Sequence, residues 1–359
     1  MLDRRDYVTK LNEELSYNNE KFSKEDVYNQ FEKYVNNKQL LRETIEMGLF
    51  HYDYVKYVTL FEGTLYEDGI QVIVELCREA YNKNKEGFKG ILTDSYSKIS
   101  RGLENQTQLC WLEGTEFDFQ RTDLTVKKVF RCIGDLVENT FKPHAFFLNN
   151  VRALVQDKIA NQQKMGMVVD ALINYHDVLK ALYKDLLLGI SISQWRNIAD
   201  HGSYENTECG VKVTYGTNGE FNNVISIQDL KLLMCKLDTL LYMHKTAFTL
   251  LSVDYADILK EVSLYSKSKE DTWNDNLIAQ TVETSYAYGL KVKAIENEES
   301  IWNIEVETDR EQEKQSLAKY CSIIAKMLED YRMTIYRNDK VEYIVQYMNG
   351  RLEIYKFKV

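Results

Sequence analysis

The chain has 359 residues, enough for two or three domains and a sizeable core. It is 44% hydrophobic and 28% charged, which excludes a disordered or fibrous class and fits a soluble globular protein. The formal net charge of −10 and a pI of about 5.2 argue against a protein that coats nucleic acid with a broad basic face, yet leave room for a small basic cleft.

A single proline, Pro143, and 16 glycines favour long helices over a many-stranded sandwich. The cysteines at 77, 110, 132, 209, 235 and 321 are scattered singly. They form no zinc ribbon or C-x-x-C motif and read as reduced thiols. The opening M-L-D-R-R-D-Y has no apolar run behind it, so a signal peptide is not expected. No stretch of about 18 uncharged apolar residues occurs, so no membrane span is expected, and the reduced thiols make a cytoplasmic location the expectation.

In chain order, residues 1–121 read as a helical N-terminal region. Ser23-Lys-Glu-Asp26 predicts a capping box, with Val27, Phe31, Tyr34 and Val35 at helical spacing behind it. A second helix is expected over 38–47, and Gly69 to Asn82 also reads as helix. The aromatic stretch 49–65 fits helix or strand, and His51 within it reads as a core or interface residue. Residues 86–123, punctuated by Gly87, Gly90, Gly102 and Gly114, read as a connector.

Residues 122–252 predict a helical bundle. A helix over 124–141 ends or kinks at Pro143, and another follows over 145–160. One long helix is expected from 162 to 188, ended by Gly189. After a short helix, Val211 to Tyr215 and Phe221 to Ile225 predict a hairpin, with Asn218-Gly219 as a type I′ turn. Ser226 and Asp229 then cap a long helix over 230–251. His144, His176 and His244 are expected at separate points of the bundle, and His176 and His244 read as packed or rim residues.

Residues 253–359 predict a small α+β domain. Strands at 288–295 and 301–307, a helix at 310–331, and strands at 342–348 and 352–359 give the order ββαββ and an antiparallel sheet. Asn349-Gly350 is a second type I′ signal.

The stretch that concentrates chemistry is I-S-Q-W-R-N-I-A-D-H-G, residues 192–202. Ser193 is the expected N-cap and Gly202 the expected residue past the last turn. On a helix Asn197 and His201 share a face, with Arg196 about 140° around from His201. Trp195, Ile198 and Ala199 supply the apolar side.

This pattern, R-N-x-x-x-H at Arg196, Asn197 and His201, resembles the signature of the HEPN superfamily, helical bundles that include many metal-independent ribonucleases. The resemblance covers residues 122–252. It implies a HEPN-like helical bundle there and says nothing about either flank; together with the residue pattern, the expected fold is mainly α, with that bundle holding an inserted β-hairpin, a helical N-terminal region and a small C-terminal α+β domain. The resemblance implies an endoribonuclease that works as a homodimer, with two motifs meeting in one composite site. Arg196 would meet phosphate, His201 would transfer protons, and Asn197 would orient either one. The products would be 2′,3′-cyclic phosphate and 5′-hydroxyl ends, with RNA as substrate and no metal or cofactor. Many bacterial members with large flanking regions serve in stress or antiphage defence, which is the role implied here, with a regulatory protein as a further partner. Some HEPN toxins carry a Tyr two positions after the His. Here Tyr204 lies three positions on, which departs from that pattern.

Plainer readings stand beside this one. Arg196 and Asp200 are four apart and suit an ion pair on a solvated face. His201 suits a residue that bonds a carbonyl at the helix end. The acidic balance suits a non-catalytic binding or dimerisation module.

Overall fold

The structure, a computed structural model, describes residues 23–46, 49–106, 122–158, 164–216, 218–265, 290–298, 301–308, 340–347 and 352–358, with Thr9, Leu109, Ala160, Thr281, Val282, Ser285 and Cys321. It is mainly helical, with two small sheets. The chain divides into two compact units. One holds residues 57–259, the other residues 1–56 and 260–359.

In the second of these, α1 (Lys24–Phe31) begins as the sequence predicts. The Ser23 hydroxyl accepts from the Asp26 N–H, and the Asp26 carboxylate accepts from the Ser23 N–H. A 3₁₀ turn, α2 (Lys38–Glu46) and α3 (His51–Lys56) follow. Phe31 packs on Phe50 and Tyr54 at 5.5 and 6.3 Å between rings.

The larger unit is built on α4 (Leu65–Lys83), capped by Thr64. Helix α5 (Lys85–Gln106) lies where the glycines suggest a connector. A Cβ on Gly87 would lie 3.0 Å from Leu154, and one on Gly102 would lie 2.7 Å from the Asn139 carbonyl. These glycines permit close helix packing rather than breaking the chain, which sequence pattern cannot distinguish. Helices of residues 57–106 therefore belong to the same unit as the 122–252 segment, instead of forming a region apart.

Helix α6 (Thr122–Asp135) runs through a π-helical segment, Leu136–Phe141, into α7 (Lys142–Val155). Pro143 neither stops nor divides this helix. It has no N–H for the Asn139 carbonyl, and just before it the ladder widens, with the Lys142 N–H bonding Val137 O. Gly102 meets the widened turn, and Thr140 donates to the Gly102 carbonyl at 2.8 Å.

The long helix expected over 162–188 is two helices, α8 (Met165–Ile173) and α9 (Asp177–Lys184). His176 makes the break: its Nδ1 accepts the Val178 N–H at 3.2 Å, so the imidazole acts as an N-cap. A tight turn with Leu188 at φ +55° and Gly189 at φ +72° leads to α10 (Ile192–His201). Strands β1 (Tyr204–Thr207), β2 (Gly210–Tyr215) and β3 (Phe221–Ile225) form an antiparallel meander, one strand more than the predicted hairpin. Tyr215 pairs with Phe221, so residues 216–220 connect the strands, a longer loop than the two-residue type I′ turn expected at Asn218-Gly219. Ser226 and Asp229 form the predicted capping box of α11 (Ile227–Asp254), which α12 (Ala256–Tyr265) follows.

Strands β4 (Lys291–Glu298), β5 (Ile301–Thr308), β6 (Lys340–Tyr347) and β7 (Leu352–Lys358) lie in that order in one sheet. The sheet is mixed rather than antiparallel, because β5 and β6 are parallel. Parallel neighbours need a crossover. Of residues 309–339 only Cys321 is described, helical and buried. The predicted helix at 310–331 and the Asn349-Gly350 turn lie otherwise outside the described residues. Among the described residues no helix is long and apolar enough to cross a membrane.

Candidate functional site

Helix α10 carries all three motif residues and is fixed at both ends. Its N-cap is Ser191, two residues before the predicted Ser193. The Ser191 hydroxyl accepts the Gln194 N–H at 3.4 Å, and Ser193 bonds Ser191 at 3.1 Å. At the other end Gly202 adopts φ +63°, as expected of a residue past the last turn. The N–H groups of Ser203 and Gly202 reach the Ile198 and Ala199 carbonyls at 2.9 and 3.4 Å. Backbone donors thus take the role that the plain reading gave to His201.

The apolar side of α10 faces inward. Ile192, Trp195 and Ile198 are buried, and Trp195 is fully so. The helix packs on α6, on β2 and on the π-helical segment. A Cβ on Gly134 would lie 2.8 Å from Asp200 Oδ1 and 3.5 Å from Ala199 Cβ, which shows how closely α6 and α10 approach.

The structure places Arg196 and Asn197 half-buried and His201 exposed. Arg196 Nη1 donates to Asn197 Oδ1 at 3.3 Å. Its Nε lies 2.8 Å from Asp200 Oδ2, which is the ion pair of the plainer reading. Its Nε and Nη2 also both lie 3.1 Å from Glu138 Oε2. Each guanidinium nitrogen therefore already has a protein partner. No hydrogen bond joins His201 to Arg196 or Asn197 among the described residues.

Glu138 is the site residue that sequence reasoning missed. It lies on the π-helical segment and accepts from Lys142 with its second oxygen. Burial alone would raise its pKa, but the Lys142 and Arg196 cations win and hold the carboxyl below the usual range. The four-residue spacing of Glu138 and Lys142 was a readable signal for a helical pair. Nothing in the sequence links either of them to Arg196, which lies 58 residues further on than Glu138.

Chemically, an exposed imidazole can transfer protons near neutral pH, and a guanidinium offers a planar fork to a phosphate. Among the described residues no group of three or more His, Cys, Asp or Glu is arranged to hold a metal ion. Comparison with family models, with curated proteins and with solved structures found no match to this chain.

Proposed function

We propose that the chain is a metal-independent endoribonuclease of HEPN type that works as a homodimer. The observation that carries this reading is the placing of Arg196, Asn197 and an exposed His201 on one short helix anchored by the buried Trp195. The RNA 2′-hydroxyl is the nucleophile, so the protein needs only proton transfer and charge stabilisation. In the proposed reaction the 2′-oxygen bonds to phosphorus while the bond to the 5′-oxygen breaks. One His201 takes the 2′-hydroxyl proton, and the second copy's His201 gives a proton to the leaving 5′-oxygen. Arg196 stabilises the phosphorane. A two-fold seam would also gather two arginines in one cleft, which offsets the chain's acidic balance. The role in stress or antiphage defence, with a regulatory protein partner, is proposed by analogy alone.

One observation favours a second reading. With Glu138 and Asp200 both on Arg196, the motif serves equally well as a structural ion-pair network in a non-catalytic binding or dimerisation module. RNA cleavage in EDTA separates the two. Loss of activity in Arg196→Ala and in His201→Ala, each folded and dimeric, with cyclic-phosphate ends from wild type, supports catalysis. An inert wild type, or two fully active variants, removes the ribonuclease reading and leaves the binding module.

A further inference from the structure

Two cations on neighbouring elements converge on one carboxylate. Lys142, at the start of α7, holds Glu138 Oε1, and Arg196, on α10, holds Oε2. Asp200 grips Arg196 at Nε and Asn197 grips it at Nη1, so the guanidinium stays oriented even without Glu138. All four ionic side chains keep between 27% and 36% of their surface in contact with solvent. An anion can therefore reach this cradle, and Glu138 can leave it.

The balance of charge decides what the cradle can do. With Glu138 in place, Arg196 and Lys142 are offset by Glu138 and Asp200, and the cluster offers no net positive charge. With the Glu138 carboxylate turned out to water, the same two cations face one open position. Arg196 and Lys142 then present the donor set that a phosphodiester oxygen pair requires.

We propose that Arg196 and Lys142 form a phosphodiester-binding site, and that the Glu138 carboxylate is its resting occupant, exchanged for a phosphate of the RNA backbone. This rests on the ribonuclease reading for the nature of the ligand and adds Lys142 as a phosphate contact. Glu138 is thereby a residue that limits access: only a polyanion held by further contacts displaces it.

The test uses the full chain and a 2′-O-methyl oligoribonucleotide, which has no 2′-hydroxyl and cannot be cleaved. Its affinity is read by fluorescence anisotropy across a salt series. Glu138→Gln should bind about tenfold tighter than wild type, the scale of one charge-assisted contact. Its salt dependence should steepen by about one phosphate contact. Adding Lys142→Ala to Glu138→Gln should cancel the gain. Asp94→Asn, an exposed charge on α5, should change affinity far less and so exclude a general charge effect. Glu138→Ala gives the same reading if the glutamine variant does not fold. Unchanged or weaker binding by the Glu138 variants, or a gain that Lys142→Ala leaves intact, overturns the proposal. The two readings fail separately. If binding tightens but no variant cleaves RNA in EDTA, the phosphate site stands and the nuclease falls. If cleavage depends on Arg196 but Glu138→Gln binds as wild type does, the nuclease stands and the phosphate site falls.

Discussion

The Oδ1 oxygen of Asp200 lies 2.8 Å from where a Cβ on Gly134 would be. The missing side chain on α6 thus makes room for the carboxylate that orients Arg196. The obstacle is the tip of a flexible side chain, so Gly134→Ala should cost the fold little. Alanine's better helix propensity, worth about 1 kcal/mol, should leave global stability equal or higher. What should change is the motif. The Arg196 Nε signal in ¹⁵N NMR should shift toward that of Asp200→Asn, and a wild-type Nε signal in Gly134→Ala would refute this account.

Gly102 and Gly90 lie on the same helix and should respond in opposite directions. A Cβ on Gly102 would lie 2.7 Å from the Asn139 carbonyl and 3.1 Å from Thr140 Cα, both backbone atoms that cannot move cheaply. Gly102→Ala should destabilise by about 1–3 kcal/mol. Around Gly90 nothing lies within 4 Å, so Gly90→Ala should gain roughly 0.5–1 kcal/mol. Urea unfolding of the two variants measures both. Equal effects would mean that α5 does not pack tightly against the π-helical turn.

The buried pair His144 and His244 sets a pH dependence. Their rings lie 5.2 Å apart, and His244 Nε2 is 3.0 Å from the Tyr183 hydroxyl. Burial pushes His144 down to about 3 and, with the neighbouring His144, holds His244 well below its ordinary value. The unfolded chain protonates both near pH 6.5, so below that pH it binds more protons than the folded chain. Stability should be full above pH 6.5 and fall as pH drops toward 5, by about 1.4 kcal/mol per pH unit for each histidine. His144→Leu should remove about half of that slope, as read from urea midpoints between pH 7 and 5. An unchanged slope would mean that the imidazoles are not buried neutral.

Leu188 is half exposed at φ +55°, a conformation that costs a leucine about 1–2 kcal/mol. Leu188→Asn should raise the melting temperature, since asparagine tolerates this region and little burial is lost. A lowered melting temperature would show that the leucine packs against something that outweighs the strain.

Much was legible from sequence wherever the cause is local. The capping boxes at Ser23 and Ser226 depend on groups three residues apart, and both form as read. Gly202 ends α10 for a reason that lies in its own backbone. The apolar side of the motif helix follows from spacing, and Trp195 is buried accordingly. The four C-terminal strands appear near their predicted places, since alternation marks strands without reference to a partner.

What only the tertiary structure decided depends on residues far apart in the chain. Gly87 and Gly102 look like breakers until α7 and the π-helical turn come close enough to need them. Pro143 looks like a stop until a widened ladder carries the helix past it. The parallel pairing of β5 and β6 is invisible in alternation, because a strand reads the same in either direction. At the candidate site, Arg196, Asn197 and His201 could be named from one helix, but the charge that Arg196 meets could not. Glu138, with Lys142 on its other oxygen, reaches Arg196 only because the π-helical segment and α10 pack together. Local hydrogen bonding chose the helix, and packing chose what its arginine holds.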